Sequence, residues 1–337
     1  MADITIGVIG YGYWGPNIVR NFFYSDNCKV KAVADQRDER LTLLAKNFPS
    51  INGINNAEDI INDDSINAVV IATPVFSHYE LAKKALVKGK HVLIEKPLAP
   101  TVAESEELIN LAEQKGLTLM VDHTFLYTGA VQKMKELIDT GAIGTPLYFE
   151  SSRINLGLFQ SDINVLWDLA AHDISILIHL IKEIPESVNA TGISHTHNGV
   201  ENIAYMTVNY NSDFIAHINC SWSSPVKVRQ MLIGGDKKMI LYNDLEPSEK
   251  LRVYDTGYYH TTDEDKKKIL VDYRIGDIYI PKLSAEEALT AVANDFIQSI
   301  IQKKEPLSNA RFGLEVVKIL EASQQSIKNK GREIKIK

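Results

Sequence analysis

The stretch Ile4-Thr5-Ile6-Gly7-Val8-Ile9-Gly10-Tyr11-Gly12-Tyr13-Trp14-Gly15-Pro16-Asn17 decides the fold. Its first half is a short apolar run that reads as a buried strand. Its second half is Gly10-x-Gly12-x-x-Gly15, followed by a helical pattern through Val19 and Phe22. A strand, a glycine-rich turn and a helix, in that order, are the setting that makes the glycine triplet informative. Gly10 permits the tight turn, Gly12 lets a pyrophosphate approach the backbone, and Gly15 lets the helix pack on the strand. The N–H groups and dipole at the helix start favour an anion. Alone the triplet is weak, because loops collect glycine. In this setting it points to dinucleotide binding. Tyr11, Tyr13 and Trp14 count with the turn as cofactor contacts, with packing an equal reading for Trp14.

Downstream the pattern repeats. Lys29–Asp35 reads as a second strand, and Asp35 lies twenty residues past Gly15 at its end. A carboxylate there accepts hydrogen bonds from an adenosine ribose and repels a 2′-phosphate. The cofactor expected is therefore NAD, with NADP disfavoured. Arg37 complicates this, since an arginine nearby can hold the phosphate; the preferred reading is a surface charge. Residues 38–47 look helical. Ala68–Thr73 is a continuous apolar run, as in a strand buried on both faces, and Pro74 ends it. His78–Lys88 reads as a helix closed by Gly89. His78 starts it, where it would lie near the cofactor together with Thr73 and Pro74. His91–Ile94 is a strand ending in Glu95-Lys96-Pro97. Thr101–Lys115 is helical, and Leu117–Val121 is the next strand. This alternation predicts a parallel sheet with helices on both faces.

Beyond residue 122 the pattern changes. Ala130–Asp139 is one amphipathic helix, and from Pro146 to about residue 280 the chain is mostly strand-like. Phe214–Asn219 partly alternates, which suits a sheet with one face covered. A helix from Trp167 to Ile181 interrupts the strands, and two helices, roughly 284–302 and 309–329, close the chain. The division expected is residues 1–122 for a dinucleotide-binding domain and 123–337 for a substrate and assembly domain. Residues 255–281, rich in tyrosine and charge, read either as a specificity loop or as a hairpin.

Three residues stand out for chemistry. Lys96 sits at the C-terminal end of a parallel strand, outside which ligands bind in open α/β sheets. A lysine there can stabilise an alkoxide or share a proton with a hydroxyl; the plain alternative is a surface lysine. Asp168 and His172 are four apart on one helix face, a pair suited to proton transfer, though a helix-face ion pair is the commoner meaning of such spacing. His123 and Tyr127 follow the last parallel strand and count as substrate contacts. His195 and His197 alternate on a strand, but no third ligand is evident and no metal is expected.

Composition narrows the class. The 337 residues suit two domains, and 45% apolar content is ample for packed cores. A net charge of -7 argues against nucleic-acid or anionic-membrane partners. The two cysteines, Cys28 and Cys220, are far apart and suggest no disulfide framework or cysteine zinc site. No run is long and apolar enough for a membrane span, and no secretory leader is recognised. A cytoplasmic protein with a small-molecule substrate is expected.

With these residues in hand, the chain resembles the glucose–fructose oxidoreductase / inositol dehydrogenase family, Gfo/Idh/MocA. The matching points are the Gly10–Gly15 turn, Ala72-Thr73-Pro74 with His78, Glu95-Lys96-Pro97, Asp168-x-x-x-His172, Phe296-Ile297 and Arg311–Leu314. The resemblance implies an α/β Rossmann domain followed by an α+β domain with a large, mainly antiparallel, open-faced sheet. It implies an NAD-dependent oxidoreductase that moves a hydride between nicotinamide and a secondary alcohol of a sugar. Lys96 carries over as the active-site lysine, His172 as the proton-exchanging residue, and Asp168 as its partner and substrate contact. Asn164–Asp173 and Gly276–Pro281 look similar to members that oxidise nucleotide sugars. The family also implies a homo-oligomer, dimer or tetramer. It includes NAD-binding sensors without catalysis and NAD-dependent glycosidases, which stand as alternatives. The chain departs from the family at Asp122-His123-Thr124-Phe125, where many members carry an asparagine and an Arg-Phe pair. Ala170 likewise replaces a common glycine. Both changes bear on the substrate more than on the reaction.

Overall fold

A computed structural model describes residues 3–157, 159–197, 199–259 and 272–337. The chain divides into two units, each with its own sheet: Met1–Tyr127 with Glu286–Lys318, and Thr128–Ala285 with Ile319–Lys337.

The first unit opens with β1 (Ile4–Ile9), α1 (Gly15–Phe23) and β2 (Cys28–Ala34). It continues through α2 (Asp38–Asn47), β3 (Asn52–Ile54), α3 (Ala57–Ile61), β4 (Ala68–Ile71) and α4 (His78–Val87). β5 (His91–Glu95), α5 (Val102–Lys115) and β6 (Leu119–Asp122) complete the alternation. The six strands pair in the order β3-β2-β1-β4-β5-β6, all parallel. This is the doubly wound order whose crevice, at the carboxyl ends of the strands, takes a dinucleotide. Every residue of β4 is buried, as its unbroken apolar run requires. Thr101 caps α5 by accepting from the Glu104 N–H, and Gly116 closes it in the left-handed conformation. β3 and α3 carry too few residues for a periodic signal.

The first unit also takes back a late segment. α8 (Ala288–Gln302) packs on α1, with Phe296 edge-on to Phe22 at 6.2 Å. Val292, Ala293, Phe296 and Ile297 join the core of β1 and α1. The unit therefore runs past residue 122 to Tyr127 and includes 286–318. A break in alternation marks where the sheet ends, but not which later helix returns to cover it.

The second unit contains α6 (Gly129–Asp139), β7 (Pro146–Leu156), α7 (Ala171–Leu180), β8 (Ser187–Ile193), β9 (Ile203–Asn209) and β10 (Ile215–Ser221). β11 (Ser223–Gly235), β12 (Met239–Asn243), β13 (Leu251–Tyr259) and β14 (Asp272–Tyr279) extend the sheet, and β15 (Ile334–Lys335) edges it. The order is β14-β13-β12-β11-β7-β10-β9-β8-β15, antiparallel except for β10 beside β7. In β9 and β10 alternate residues are buried: Ala204, Met206 and Val208 face the covered side with Ala216, Ile218 and Cys220. On the other side Tyr205 and Ile215 stay exposed. This is the open-faced, mainly antiparallel sheet that the resemblance implies. β13 and β14 pair antiparallel and take up most of the described part of 255–281; residues 260–271 lie outside those described. α9 (Ala310–Lys328) gives its first half to the first unit and its second half to the other. Among the described residues no helix is long and apolar enough to cross a membrane.

Candidate active site

The glycine turn is built as its sequence demands. Gly10 has φ +100°, and a Cβ there would lie 2.3 Å from the Ala72 carbonyl oxygen. A Cβ on Gly15 would come within 2.6 Å of the Gly10 carbonyl oxygen. Only glycine fits these two places. A Cβ on Gly12 would meet nothing closer than the Arg37 guanidinium at 3.5 Å, so its smallness leaves open space. That space opens into a cavity of about 790 Å³, walled by the glycine turn, Asp35, Arg37, Thr73, Pro74 and Phe76. Its size suits a cofactor-sized molecule, and Tyr13, 87% exposed, stands at its rim. Phe76, also exposed, was not picked out from sequence.

Asp35 is held by its neighbours. The Tyr11 N–H donates to its Oδ2 at 2.8 Å, and Arg37 donates from its backbone, Nε and Nη2 at 2.9–3.0 Å. Burial works against ionisation, but these bonds and the arginine's charge outweigh it and hold the carboxyl below its usual range. Arg37 is thus a fork on Asp35 rather than a detached surface charge. The Tyr11 side chain is buried in the core, so its part in the turn is through the backbone. Trp14 and Gly15 start α1, where Trp14 packs against the core.

His78 is wholly buried, and its ring nitrogens lie 2.8 and 2.9 Å from the carbonyl oxygens of Thr73 and Pro97. Neither nitrogen is left for a cofactor. The ring sits between the Thr73-Pro74 turn and Pro97, and burial pushes it down, towards the neutral form, which donates to one of the two carbonyls.

Lys96 follows the last residue of β5, and its peptide bond to Pro97 is cis. Its backbone N–H is fixed by the Glu95 carboxylate at 2.7 Å. The charge of Lys96 acts on three buried groups, His78, Asp122 and His123. His123 is 1% exposed and lies edge-on to Phe312, with centroids 5.6 Å apart. Burial, and then the lysine, push its imidazole down to about 3, so it is neutral near pH 7. Tyr127 donates to the Asp295 carboxylate at 2.8 Å and touches the Ser308 hydroxyl at 3.1 Å, bonds internal to the first unit.

In the second unit, Leu166–Ala170 is a π-turn that runs directly into α7. The side-chain oxygen of Asn164 accepts from the N–H groups of Leu166 and Trp167 and starts it. Such turns are rare and recur at functional sites. Asp168 sits within it and accepts from the Trp222 indole N–H at 3.0 Å. His172 lies one turn on, half-buried. Asp173 points to a different partner, Arg153, in a fully buried pair at 2.6 Å. Trp222 and Asn164 have no sequence motif of their own, and their roles emerge only from the fold.

A doubly wound sheet, a glycine-lined cofactor cavity with an ionised acid at its far strand, and a lysine at a strand end define a dinucleotide-dependent oxidoreductase. The comparisons with known proteins agree. The profile of the oxidoreductase family, NAD-binding Rossmann fold (GFO_IDH_MocA), matches residues 4–123, and that of the GFO/IDH/MocA C-terminal domain matches 131–241. The chain belongs to this family and is an oxidoreductase with a dinucleotide-binding Rossmann domain. It is 30% identical over 216 residues to UDP-N-acetylglucosamine 3-dehydrogenase of Acidithiobacillus ferrooxidans, covering 62% of this chain and 64% of the relative. It is 26% identical over 227 residues to scyllo-inositol 2-dehydrogenase (NADP(+)) of Bacillus subtilis, covering 61% and 60%. An oxidoreductase of Agrobacterium radiobacter, solved with NAD+, L-tartaric acid and magnesium, shares the fold. Its TM-score is 0.81 at 18% identity, over 99% of both chains.

Proposed function

We propose that the protein is an NAD-dependent dehydrogenase of a secondary alcohol on a sugar or nucleotide sugar. The observation that carries this is Lys96, held by Glu95 at the carboxyl end of β5 in the same unit as the Asp35 cavity. The cavity fits the cofactor: a backbone without side chains where phosphates must approach, and a carboxylate for ribose hydroxyls. Bound NAD supplies the hydride acceptor. Lys96 stabilises the alkoxide that develops as the hydride leaves, a form of electrostatic preorganisation. His172 takes the hydroxyl proton as general base, and Asp168, anchored by Trp222, orients the substrate and its partner imidazole.

NAD is preferred over NADP because Asp35 stays ionised and its arginine is already committed to it. A 2′-phosphate would meet the carboxylate before it met a free guanidinium. Nucleotide sugars are the favoured substrate class, supported by the likeness to the UDP-N-acetylglucosamine enzyme. We further infer that the exposed face of the nine-stranded sheet, with Tyr205 and Ile215, is covered by a second copy of the chain.

The test is reduced-nicotinamide absorbance with purified protein, NAD and a panel of nucleotide sugars, sugar acids and inositols. Turnover with one class is expected, lost in Lys96→Ala while NAD still binds. Near wild-type turnover in both Lys96→Ala and His172→Ala sinks the assigned roles. Tight NAD binding with no turnover on any compound favours a sensor.

A further inference from the structure

Glu201 and Asn202, two adjacent residues just ahead of β9, hold both partners of the Asp168–Trp222 hydrogen bond. One partner stands on the π-turn. The Glu201 carbonyl accepts from the Val165 N–H at 3.0 Å, and its carboxylate accepts from Asn164 Nδ2 at 3.1 Å. Asn164 Oδ1 in turn accepts from the N–H groups of Leu166 and Trp167, and the Asn164 carbonyl accepts from the N–H of Asp168 itself at 3.1 Å. The other partner, Trp222, is the single residue between β10 and β11. Its N–H donates to the Asn202 carbonyl at 2.9 Å, and its carbonyl accepts from the Gly157 N–H at 3.0 Å. Asn202 Nδ2 donates to the hydroxyl of the next residue, Ser223, at 2.6 Å. Asn202 Oδ1 accepts from the His195 N–H at 2.7 Å, and the Asn202 N–H donates to the Ile193 carbonyl at 3.1 Å.

These bonds leave each amide one orientation. A backbone N–H can only donate, so the Asn202 oxygen faces His195 and its amide nitrogen faces Ser223. By the same reasoning the Asn164 oxygen faces the turn and its nitrogen faces the Glu201 carboxylate. Asn202 is wholly buried, and Asn164 is 5% exposed. A buried amide with partners at both ends fixes a geometry. A shift that breaks one bond leaves a polar group unpaired, which costs more than the bond's net gain. Asp168 and Trp222 are 54 positions apart in the chain, yet their surroundings meet on two consecutive residues. We propose that Glu201 and Asn202 are positioning residues: together they fix the π-turn and the Trp222 corner relative to each other, and so aim Asp168 at the substrate. The purpose of this brace rests on the proposed role of Asp168, but its test does not.

The chain has three tryptophans, Trp14, Trp167 and Trp222, so protein labelled with 15N in the indole gives three N–H signals. The one missing from Trp222→Phe is that of Trp222. A carboxylate accepts a stronger hydrogen bond than an amide does, so Asp168→Asn is expected to move that signal upfield. The size of this response measures the contact. It should fall by about half or more when Asp168→Asn is made in Asn202→Ala or in Glu201→Ala. Glu201→Gln, whose amide oxygen can still accept from Asn164, should keep most of it. A full response in both alanine variants overturns the proposal, as does a loss in Glu201→Gln equal to that in Glu201→Ala. Should Asn202→Ala fail to fold, the two Glu201 variants carry the test alone. With a sugar that is turned over, both alanine variants should lower kcat about tenfold with KM nearly unchanged; a change in KM alone overturns the positioning role. A response that depends on the brace, in a protein that turns over no sugar, leaves this inference standing and defeats the catalytic reading. Asp168-dependent turnover with a full response in both alanine variants does the reverse.

Discussion

At the scale of single residues, the proposed preference for NAD rests on Asp35 and Arg37 together. The fork between them leaves Asp35 ionised and Arg37 occupied. Removing the carboxylate deletes the acceptor for the ribose hydroxyls and frees the guanidinium for a phosphate. Asp35→Ala is therefore expected to weaken NAD binding about tenfold, some 1.4 kcal/mol, while NADP binding weakens less or improves. Calorimetric titration of both cofactors checks this, and equal losses would show that the carboxylate does not discriminate. His123 yields a second expectation, in stability. Its folded pKa is about 3 against about 6.5 in an unfolded chain. The unfolded state then binds the extra proton throughout that interval, so stability is full above about pH 6.5 and falls as pH drops towards 3. The slope reaches about 1.4 kcal/mol per pH unit. Asp122 acts in the opposite sense across part of the same window. Its folded pKa is raised, so its contribution is full below about pH 3.8 and is lost as pH rises through 6. His123→Phe should flatten the acid loss of melting temperature between about pH 6 and pH 4, and an unchanged pH dependence would exclude the imidazole as its source. The places of the glycines, Asp35 and Lys96 in the fold were legible, because each has a fixed position in a motif. The buried setting of Asp122 was not, because it depends on which strand lies next to β6, which no local pattern records.

At the scale of elements, the alternation of buried runs and amphipathic helices gave most boundaries to within a few residues. The exceptions are physical. β3 and α3 are too short for periodicity to register. The helix expected from Trp167 begins as a π-turn at Leu166, a register change that side-chain spacing does not reveal. The turn depends on long-range partners: Asn164 at its start, and Trp222 from the junction of β10 and β11 on Asp168. A hydrogen bond to a charged group contributes roughly 1.5–3 kcal/mol. Trp222→Phe keeps the ring's packing and removes the N–H. It should lower kcat about tenfold or more, in keeping with that energy, with NAD affinity unchanged. In Asp168→Asn/Trp222→Phe the second change should add little, since both act on one contact. Fully additive losses would mean that Trp222 serves packing alone.

At the scale of the whole molecule, the two sheets were legible as two patterns, parallel alternation and then serial strands. The return of α8 to the first unit was not, because an amphipathic helix shows that it covers something without showing what. Phe296 and Glu287 reach α1 across more than 260 positions. The nine-stranded sheet raises the remaining question at this scale. Its covered face is a conventional core, while its other face keeps Tyr205 and Ile215 about half exposed, at 48% and 49%. β10 pairs with β9 so that Tyr205 stands opposite Asn219 and Ile215 opposite Asn209, all on that face. An isolated exposed apolar residue is ordinary, so the two carry the proposed interface only as residues of one uncovered sheet face. A second copy of the same face is self-complementary under twofold symmetry and leaves no open edge to propagate. Light scattering of the wild-type protein should thus report more than one chain per particle. Tyr205→Glu with Ile215→Glu should reduce the particle to a monomer, because each charge would be buried unpaired at the interface. The cofactor cavity lies wholly in the first unit, so NAD affinity should survive that dissociation. A wild-type monomer, or an unchanged particle in the double variant, would show that this face is not where the copies meet.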